Sequence, residues 1–331
     1  MKKIMNDASQ IVEEMISGMC LAHDNIIKRL DGTDVILRKE LAQNKVALIS
    51  GGGSGHEPAH AGFVGQGMLD AAVCGAVFTS PTPDQILEAI KAVDTGQGVL
   101  MIVKNYSGDI MNFEMAQEFA EMEGITVEYI VVDDDIAVED STYTAGKRGV
   151  AGTVLVHKIL GAAAENGMDL LSLKALGETI VENIKTVGVA LTGATVPEVG
   201  KPGFILADDE IEYGVGIHGE PGYRKEKIKP SLALAQELTS KIAHEFNWQA
   251  NENFGVLVNG LGATPLMEQY VFTQDTLGIL KQAQLKVPFK MVGNYMTAID
   301  MSGISLTMIK LNPDTLAYLK APAYTVAWKE I

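Results

Sequence analysis

Apolar runs of strand length alternate along this chain with amphipathic stretches of helical length, the pattern of repeated strand–helix–strand units. Strands are expected at 46–49, 98–103 and 125–132, then at 187–191, 213–217, 256–258, 288–292 and 304–309. Helices are expected at 6–19, 84–92, 110–123, 152–165 and 171–185. The stretch 167–185 carries no loop motif and a new set of strands follows it, so a boundary near residue 185 divides the chain into units 1–185 and 186–331. The expected fold class is α/β: two α/β domains with largely parallel or mixed sheets and ligand loops at strand carboxyl ends. The segment 223–253 is charged and poor in glycine and reads as a surface excursion.

At 331 residues, 47% hydrophobic and 21% charged, the chain is long enough to bury roughly 75% of its unfolded surface and to form two domains. Its 26 basic and 42 acidic side chains give a formal charge of −16, which argues against nucleic acid and against an anionic membrane surface as partners. Met1-Lys2-Lys3 runs into Asp7, Glu13 and Glu14 without an apolar signal core, and a cytoplasmic location is expected. Cys20 and Cys74 lie far apart in apolar surroundings and read as buried thiols.

The 34 glycines cluster after strand-like runs, where α/β proteins place ligand loops. In Ser50-Gly51-Gly52-Gly53-Ser54-Gly55-His56-Glu57-Pro58 a tight turn needs one glycine and four are present, so a loop holding a polar ligand through its backbone is the stronger reading. His56 stands where a nucleotide-binding P-loop has lysine, which excludes that motif. Gly214 to Gly219 matches G-x-G-x-x-G, but the following Glu220-Pro221-Gly222-Tyr223 cannot open a pyrophosphate-binding helix. What remains there is His218, flanked by little bulk and open either to a structural role or to a small molecule.

Lys104-Asn105-Tyr106-Ser107-Gly108-Asp109 ends one strand and opens the next helix. Ser107 or Asp109 is either the helix cap, a ligand contact, or both. Asp133-Asp134-Asp135 lacks the alternation of oxygen-ligand motifs, and pairing with Lys147 and Arg148 is favoured over a metal. Asn259 to Pro265 repeats the strand, glycine turn and helix theme, either lining a cleft or only turning the chain.

Taken together, GGGSGHEP at 51–58, KNYSGD at 104–109, VVDDDIAV at 131–138, YTAGKRG at 143–149, GVGIHGEPG at 214–222 and GLGATP at 260–265 resemble the K subunit of dihydroxyacetone kinases, in order and over essentially the whole chain. The family includes long fused proteins with their own nucleotide-binding domain and short stand-alone K subunits, and this length resembles the short type. The resemblance implies a phosphoenolpyruvate-dependent phosphotransferase that is active only with a separate L subunit holding ADP or ATP and Mg2+. That L subunit is recharged by a phosphohistidine donor protein of the sugar phosphotransferase system. It implies no cofactor or metal bound by this chain, and a homodimer.

Carried over by motif, His218 would hold dihydroxyacetone as a covalent hemiaminal, Asp109 would be the general base, and His56 would orient the substrate. Gly53, His56, Lys104, Asp109 and His218 would contact it. The alternative is a non-catalytic K-like paralogue acting as a ketone sensor and transcriptional coactivator. A self-sufficient ATP kinase is disfavoured by the length and by the missing nucleotide loop.

Overall fold

A computed structural model describes residues 2–139 and 144–330. Tyr143 of the YTAGKRG motif lies outside the described residues. The first sheet contains β1 (Ile27–Arg29), β2 (Val35–Arg38), β3 (Ala47–Ser54), β5 (Ala71–Val77), β6 (Val99–Lys104) and β7 (Val127–Val132). In the order β1-β2-β5-β3-β6-β7, the pairs among β5, β3, β6 and β7 are parallel and the β1–β2 edge is antiparallel. Helices α2 (Pro83–Val93) and α3 (Ser107–Met122) cover one face, while α4 (Gly152–Glu165) and α5 (Leu170–Glu182) cover the other.

Both faces being covered explains the unbroken hydrophobic text of these strands. Ala47, Ile49, Met101 and Val103 pack under α2 and α3, and the alternate residues Leu48, Leu100 and Ile102 pack with α4.

The second sheet contains β8 (Ile184–Ala190), β9 (Glu210–Tyr213), β10 (Arg224–Lys227), β11 (Asn253–Gly260), β12 (Lys286–Gly293) and β13 (Gly303–Lys310), in the order β10-β9-β8-β13-β11-β12. Only β11 and β12 pair in parallel. Helices α6 (Ser231–Phe246) and α7 (Leu266–Gln282) cover one face of it. Residues 152–164 of α4 are all buried, because this helix touches strands of both sheets as well as α8 (Pro313–Lys320). A small third sheet joins β4 (Gly65–Gln66) to β14 (Ala323–Thr325) and β15 (Lys329–Glu330), tying the end of the chain back to the first half.

Several elements differ from the pattern-based expectation. The strand expected at 213–217 ends at Tyr213, because Gly214 adopts φ +77° and leaves the ladder. The helix expected at 171–185 stops at Glu182, and Ile184 already begins β8. The stretch 223–253 is more than a surface excursion: α6 buries Leu234, Ala235, Leu238 and Ile242 against the second sheet, where a fully buried Leu or Ile contributes about 1.5–3 kcal/mol. The N-terminal helix, α1, spans Ile11–Ala22 after a short 3₁₀ turn. Cys20 and Cys74 are free and half-buried, packed against the core of the first half. Among the described residues no helix is long and apolar enough to cross a membrane.

Candidate active site

The site forms where the carboxyl end of the parallel strands meets the loop after β9. β3 runs through the glycine loop to Ser54 with every residue buried. Its glycines are a packing requirement. A Cβ on Gly53 would lie 2.5 Å from the Thr79 nitrogen and 2.7 Å from the Phe78 Cα, so no larger side chain fits.

The loop delivers His56 into the interior, where its Nδ1 lies 2.7 Å from the Thr297 carbonyl oxygen. A carbonyl only accepts, so Nδ1 carries the proton and Nε2 presents its lone pair. That Nε2 is 3.0 Å from Nε2 of His218. His218 is fixed by Glu220, whose carboxylate accepts from its backbone N–H at 3.0 Å and from its Nδ1 at 3.1 Å. Each ring therefore has its Nδ1 donating and its Nε2 directed at the other.

Burial, reinforced by the neighbouring His218 ring and the Lys104 ammonium, holds the pKa of His56 well below the ordinary imidazole range. Burial alone would raise the carboxyl of Glu220, but the hydrogen bond from His218, with the Arg148 charge adding to it, outweighs burial and holds the group below the ordinary carboxylate range. Phe78 stacks on His56 at 5.0 Å between ring centroids, and Tyr106 meets His218 edge-on at 4.5 Å, so the reactive nitrogens sit between aromatic walls.

Across the pocket, Asp109 stands in the first turn of α3. Its Oδ1 accepts a short hydrogen bond from the Ser80 hydroxyl, and its Oδ2 is 3.3 Å from the ammonium of Lys104, which also reaches the Gly51 carbonyl at 3.3 Å. Both partners of this ion pair are almost fully buried, with side chains 1% and 4% exposed. Of the two alternatives for this segment, capping is not realised. The cap position is Tyr106, without a side-chain cap, and the carboxylate of Asp109 is directed to Ser80 and Lys104 instead of the helix end.

A cavity of about 600 Å3 is lined by Gly53, Phe78, Ser80, Tyr106, Asp109 and His218 among others. Of the residues expected from sequence, Gly53, Asp109 and His218 line it directly. His56 and Lys104 stand behind them, with their nitrogens against His218 and Asp109. Phe78, Ser80 and Asn112 were missed; they enter from the end of β5 and from α3, and β5 itself is hidden in the small-residue text Ala71-Ala72-Val73-Cys74-Gly75. Tyr106 and Glu220 lay inside motifs that drew attention to other residues.

The remaining motifs act at one remove. Asp135 accepts from Nε of Arg148 at 2.8 Å, as the pairing expectation required, whereas Lys147 pairs with Glu245 at 3.0 Å and not with the aspartates. Asp134 accepts from the backbone nitrogens of Val150 and Gly152 at the start of α4, both at 2.8 Å, and burial lifts its carboxyl to about 6. The turn 260–265 does not line the cavity. It positions the segment carrying Thr297, since Leu261 accepts from the Ala298 N–H and Asn259 donates to the Met296 carbonyl. Among the described residues no group of three or more His, Cys, Asp or Glu side chains could hold a metal ion.

The fold and the site define an α/β protein with two large sheets and a cavity set between a carboxylate-backed histidine and a lysine-paired aspartate. A family model described as the Dak1 domain matches residues 17–327. The chain is 60% identical over 328 residues to the "PTS-dependent dihydroxyacetone kinase, dihydroxyacetone-binding subunit DhaK" of Lactococcus lactis, covering 99% of both chains. Among solved structures it is similar to a dihydroxyacetone kinase operon co-activator, DhaQ, with a TM-score of 0.91 and 46% identity over 96% of this chain and 98% of that one. It also matches the dihydroxyacetone kinase of C. freundii, with a TM-score of 0.89 and 36% identity over 99% of this chain but 60% of that longer one. The chain belongs to the Dak1 domain family of dihydroxyacetone kinases.

Proposed function

We propose that this chain is the dihydroxyacetone-binding subunit of a phosphoenolpyruvate-dependent dihydroxyacetone kinase. It holds the ketone as a hemiaminal on His218 and presents its terminal hydroxyl to a phosphoryl group carried on ATP by a separate L subunit. The observation that carries the reading is the contact of 3.0 Å between Nε2 of His56 and Nε2 of His218 beside the pocket.

Dihydroxyacetone has few atoms with which to bind. Its six heavy atoms set a ceiling of roughly 9 kcal/mol at ~1.5 per atom, and each hydroxyl that exchanges water for protein gains only about 1 kcal/mol. A reversible covalent bond supplies the remainder and rejects glycerol, which has no carbonyl. In the addition, the Nε2 lone pair of His218 bonds to the ketone carbon and the carbonyl π pair moves onto oxygen. That oxygen takes up one proton from solvent, passed through Nε2 of His56. The ring, now substituted at Nε2 and protonated at Nδ1, is cationic beside the carboxylate of Glu220.

For transfer, Asp109 accepts the proton of the terminal hydroxyl as its oxygen attacks the γ-phosphorus. A general base contributes about 10² to 10⁴ in rate, and positioning of the two subunits supplies most of the remainder. Lys104 holds the Asp109 carboxylate in place through their buried ion pair. Mg2+ carried by the partner would supply charge neutralisation at the phosphates, and this chain's own contribution is to bind, orient and deprotonate the acceptor.

The reading is tested by reconstituting the protein with an L subunit and its phosphohistidine donor. Phosphoenolpyruvate-driven formation of dihydroxyacetone phosphate is expected, and none in a mixture that is active with a known K subunit refutes it. The second reading, a ketone-sensing coactivator, is supported by the 46% identity to DhaQ. The intact Lys104, Asp109 and Ser80 cluster favours the kinase subunit, because a sensor needs the adduct histidine but no proton acceptor for transfer.

A further inference from the structure

We propose that Glu220 is the positioning residue that makes His218 a nucleophile, by fixing which ring nitrogen carries the proton. The inference rests on the functional reading above and extends it to a residue with no contact to substrate. A neutral imidazole has one protonated nitrogen and one lone pair, and only the lone pair can add to a carbonyl carbon. Left to its other neighbour, His218 would place its proton on Nε2, where the lone pair of His56 waits at 3.0 Å. That arrangement satisfies both rings and is inert toward ketones. A carboxylate on Nδ1 opposes it, since an ionised carboxylate can only accept and so demands that Nδ1 be the donor.

Glu220 is built to stay in that role. It is 2% exposed, and its second oxygen accepts from the His218 backbone N–H at 3.0 Å, so the carboxylate cannot swing away without giving up that half-buried donor. Arg148 lies behind it, fully buried and held in place by Asp135 at 2.6 Å and by the Gly214 carbonyl at 2.7 Å. A Cβ on Gly216 would collide with the Glu220 carboxylate and come within 2.7 Å of Nη1 of Arg148, so it is the missing side chain of Gly216 that leaves room for the two charges side by side. Nη1 has no hydrogen bond among the described residues and serves the carboxylate as a neighbouring charge alone. The carboxylate also balances the cationic ring that forms when Nε2 bonds to the ketone carbon.

The discriminating variant is Glu220→Gln. Its amide has one acceptor where the carboxylate had two, and the backbone N–H of His218 cannot give up its claim on it. The amide NH2 then faces Nδ1, which must become the acceptor, and the ring proton moves to Nε2 and bonds to His56. The opposite amide orientation sets two buried donors face to face. The same exchange of carboxylate for amide in serine hydrolases leaves geometry intact and lowers kcat about 10⁴-fold through the wrong tautomer.

The test uses the full chain labelled with 15N in histidine, without ketone and then with dihydroxyacetone labelled with 13C at the carbonyl. In the wild type, Nδ1 of His218 is expected to give the shift of a protonated nitrogen. In Glu220→Gln that signal moves to Nε2, and the ratio of hemiaminal to free ketone falls at least a hundredfold while the unfolding midpoint stays cooperative. A wild-type Nδ1 that carries no proton overturns the proposal, whether or not the variant folds. So does a folded Glu220→Gln protein that forms the hemiaminal to within threefold of wild type. If wild-type protein forms no hemiaminal at all, the functional reading fails, and the tautomer assignment is still decided by the spectrum recorded without ketone.

Discussion

Replacing Lys104 with methionine separates the stabilising and catalytic roles of the buried ion pair. The ammonium of Lys104 lies 3.3 Å from Oδ2 of Asp109, and at an effective dielectric constant of about 20 this distance corresponds to a gross attraction of roughly 5 kcal/mol. Methionine fills similar volume but leaves the Asp109 carboxylate buried without a counter-charge, with only the Ser80 hydroxyl as partner. Breaking one side of such a pair costs about 3–5 kcal/mol, a large share of the ~5–15 kcal/mol that usually separates folded from unfolded protein. The variant is expected to lose stability by that amount in urea unfolding. It should also lose turnover in the reconstituted assay, since a carboxyl that has taken up a proton to escape the penalty no longer accepts one from substrate. The double variant Lys104→Met/Asp109→Asn removes both charges. Its stability should return to within about 1–2 kcal/mol of wild type while its turnover stays low, giving a coupling energy well above the ~0.5 kcal/mol of independent sites. A Lys104→Met protein within 1 kcal/mol of wild type, or a double variant as unstable as the sum of its parts, would show that the pair carries no mutual dependence.

Three further outcomes follow from the site. His218→Ala should abolish the hemiaminal, so that the carbon-13 signal of labelled ketone stays that of free ketone and its hydrate; a persistent adduct signal would place the nucleophile elsewhere. Asp109→Asn should leave the adduct intact and lower turnover about 10² to 10⁴-fold in the reconstituted assay, whereas equal turnover would remove Asp109 from the base role. Burial, with the Lys104 charge adding to it, lowers His157 from the ordinary 6.5 to about 3, so the unfolded chain takes up a proton below pH ~6.5 that the folded state refuses until about pH 3. Stability from this group is complete above pH 6.5 and is lost as the pH falls, and His157→Asn should flatten the acid limb of a stability–pH curve by up to about 1.4 kcal/mol per pH unit; an unchanged slope contradicts the assignment.

The sequence carried the chemistry of the site better than its boundaries. β3 was recognised through the aliphatic run 46–49 and lost at Ser50, where the hydrophobic signal stops, but the strand continues because Gly51 and Gly53 pair with Val73 and Gly75 of β5. That pairing is invisible locally, since β5 is built of small residues whose strand character comes from being covered on both faces. The second sheet is mixed, as the expected fold class allowed, but which of its strands run antiparallel is beyond the pattern of apolar runs, which reports burial and not strand direction. Among the site residues, Asp109 was legible as a residue at a helix start, and local rules left cap and ligand contact equally open. The tertiary partners Ser80 and Lys104 decide against the cap. Of the two basic residues set against the aspartates, Arg148 is drawn inward by Asp135, while Lys147, one position along, turns outward to Glu245. Neighbours in a loop point in different directions, and no spacing rule says which one enters the core.

The two histidines at the centre of the site belong to different sheets. His56 leaves β3, while His218 follows β9, and Thr297, which orients His56, lies between β12 and β13 of the second sheet. On the proposed function, a ketone bound to one ring and hydrogen-bonded through the other would bridge the seam between the two large sheets. On that reading, forming one carbon–nitrogen bond would also oppose separation of the two sheets. The same bond that selects a carbonyl compound can act as a latch, and amide hydrogen exchange along the seam should slow when the ketone is added and recover when it leaves as phosphate ester.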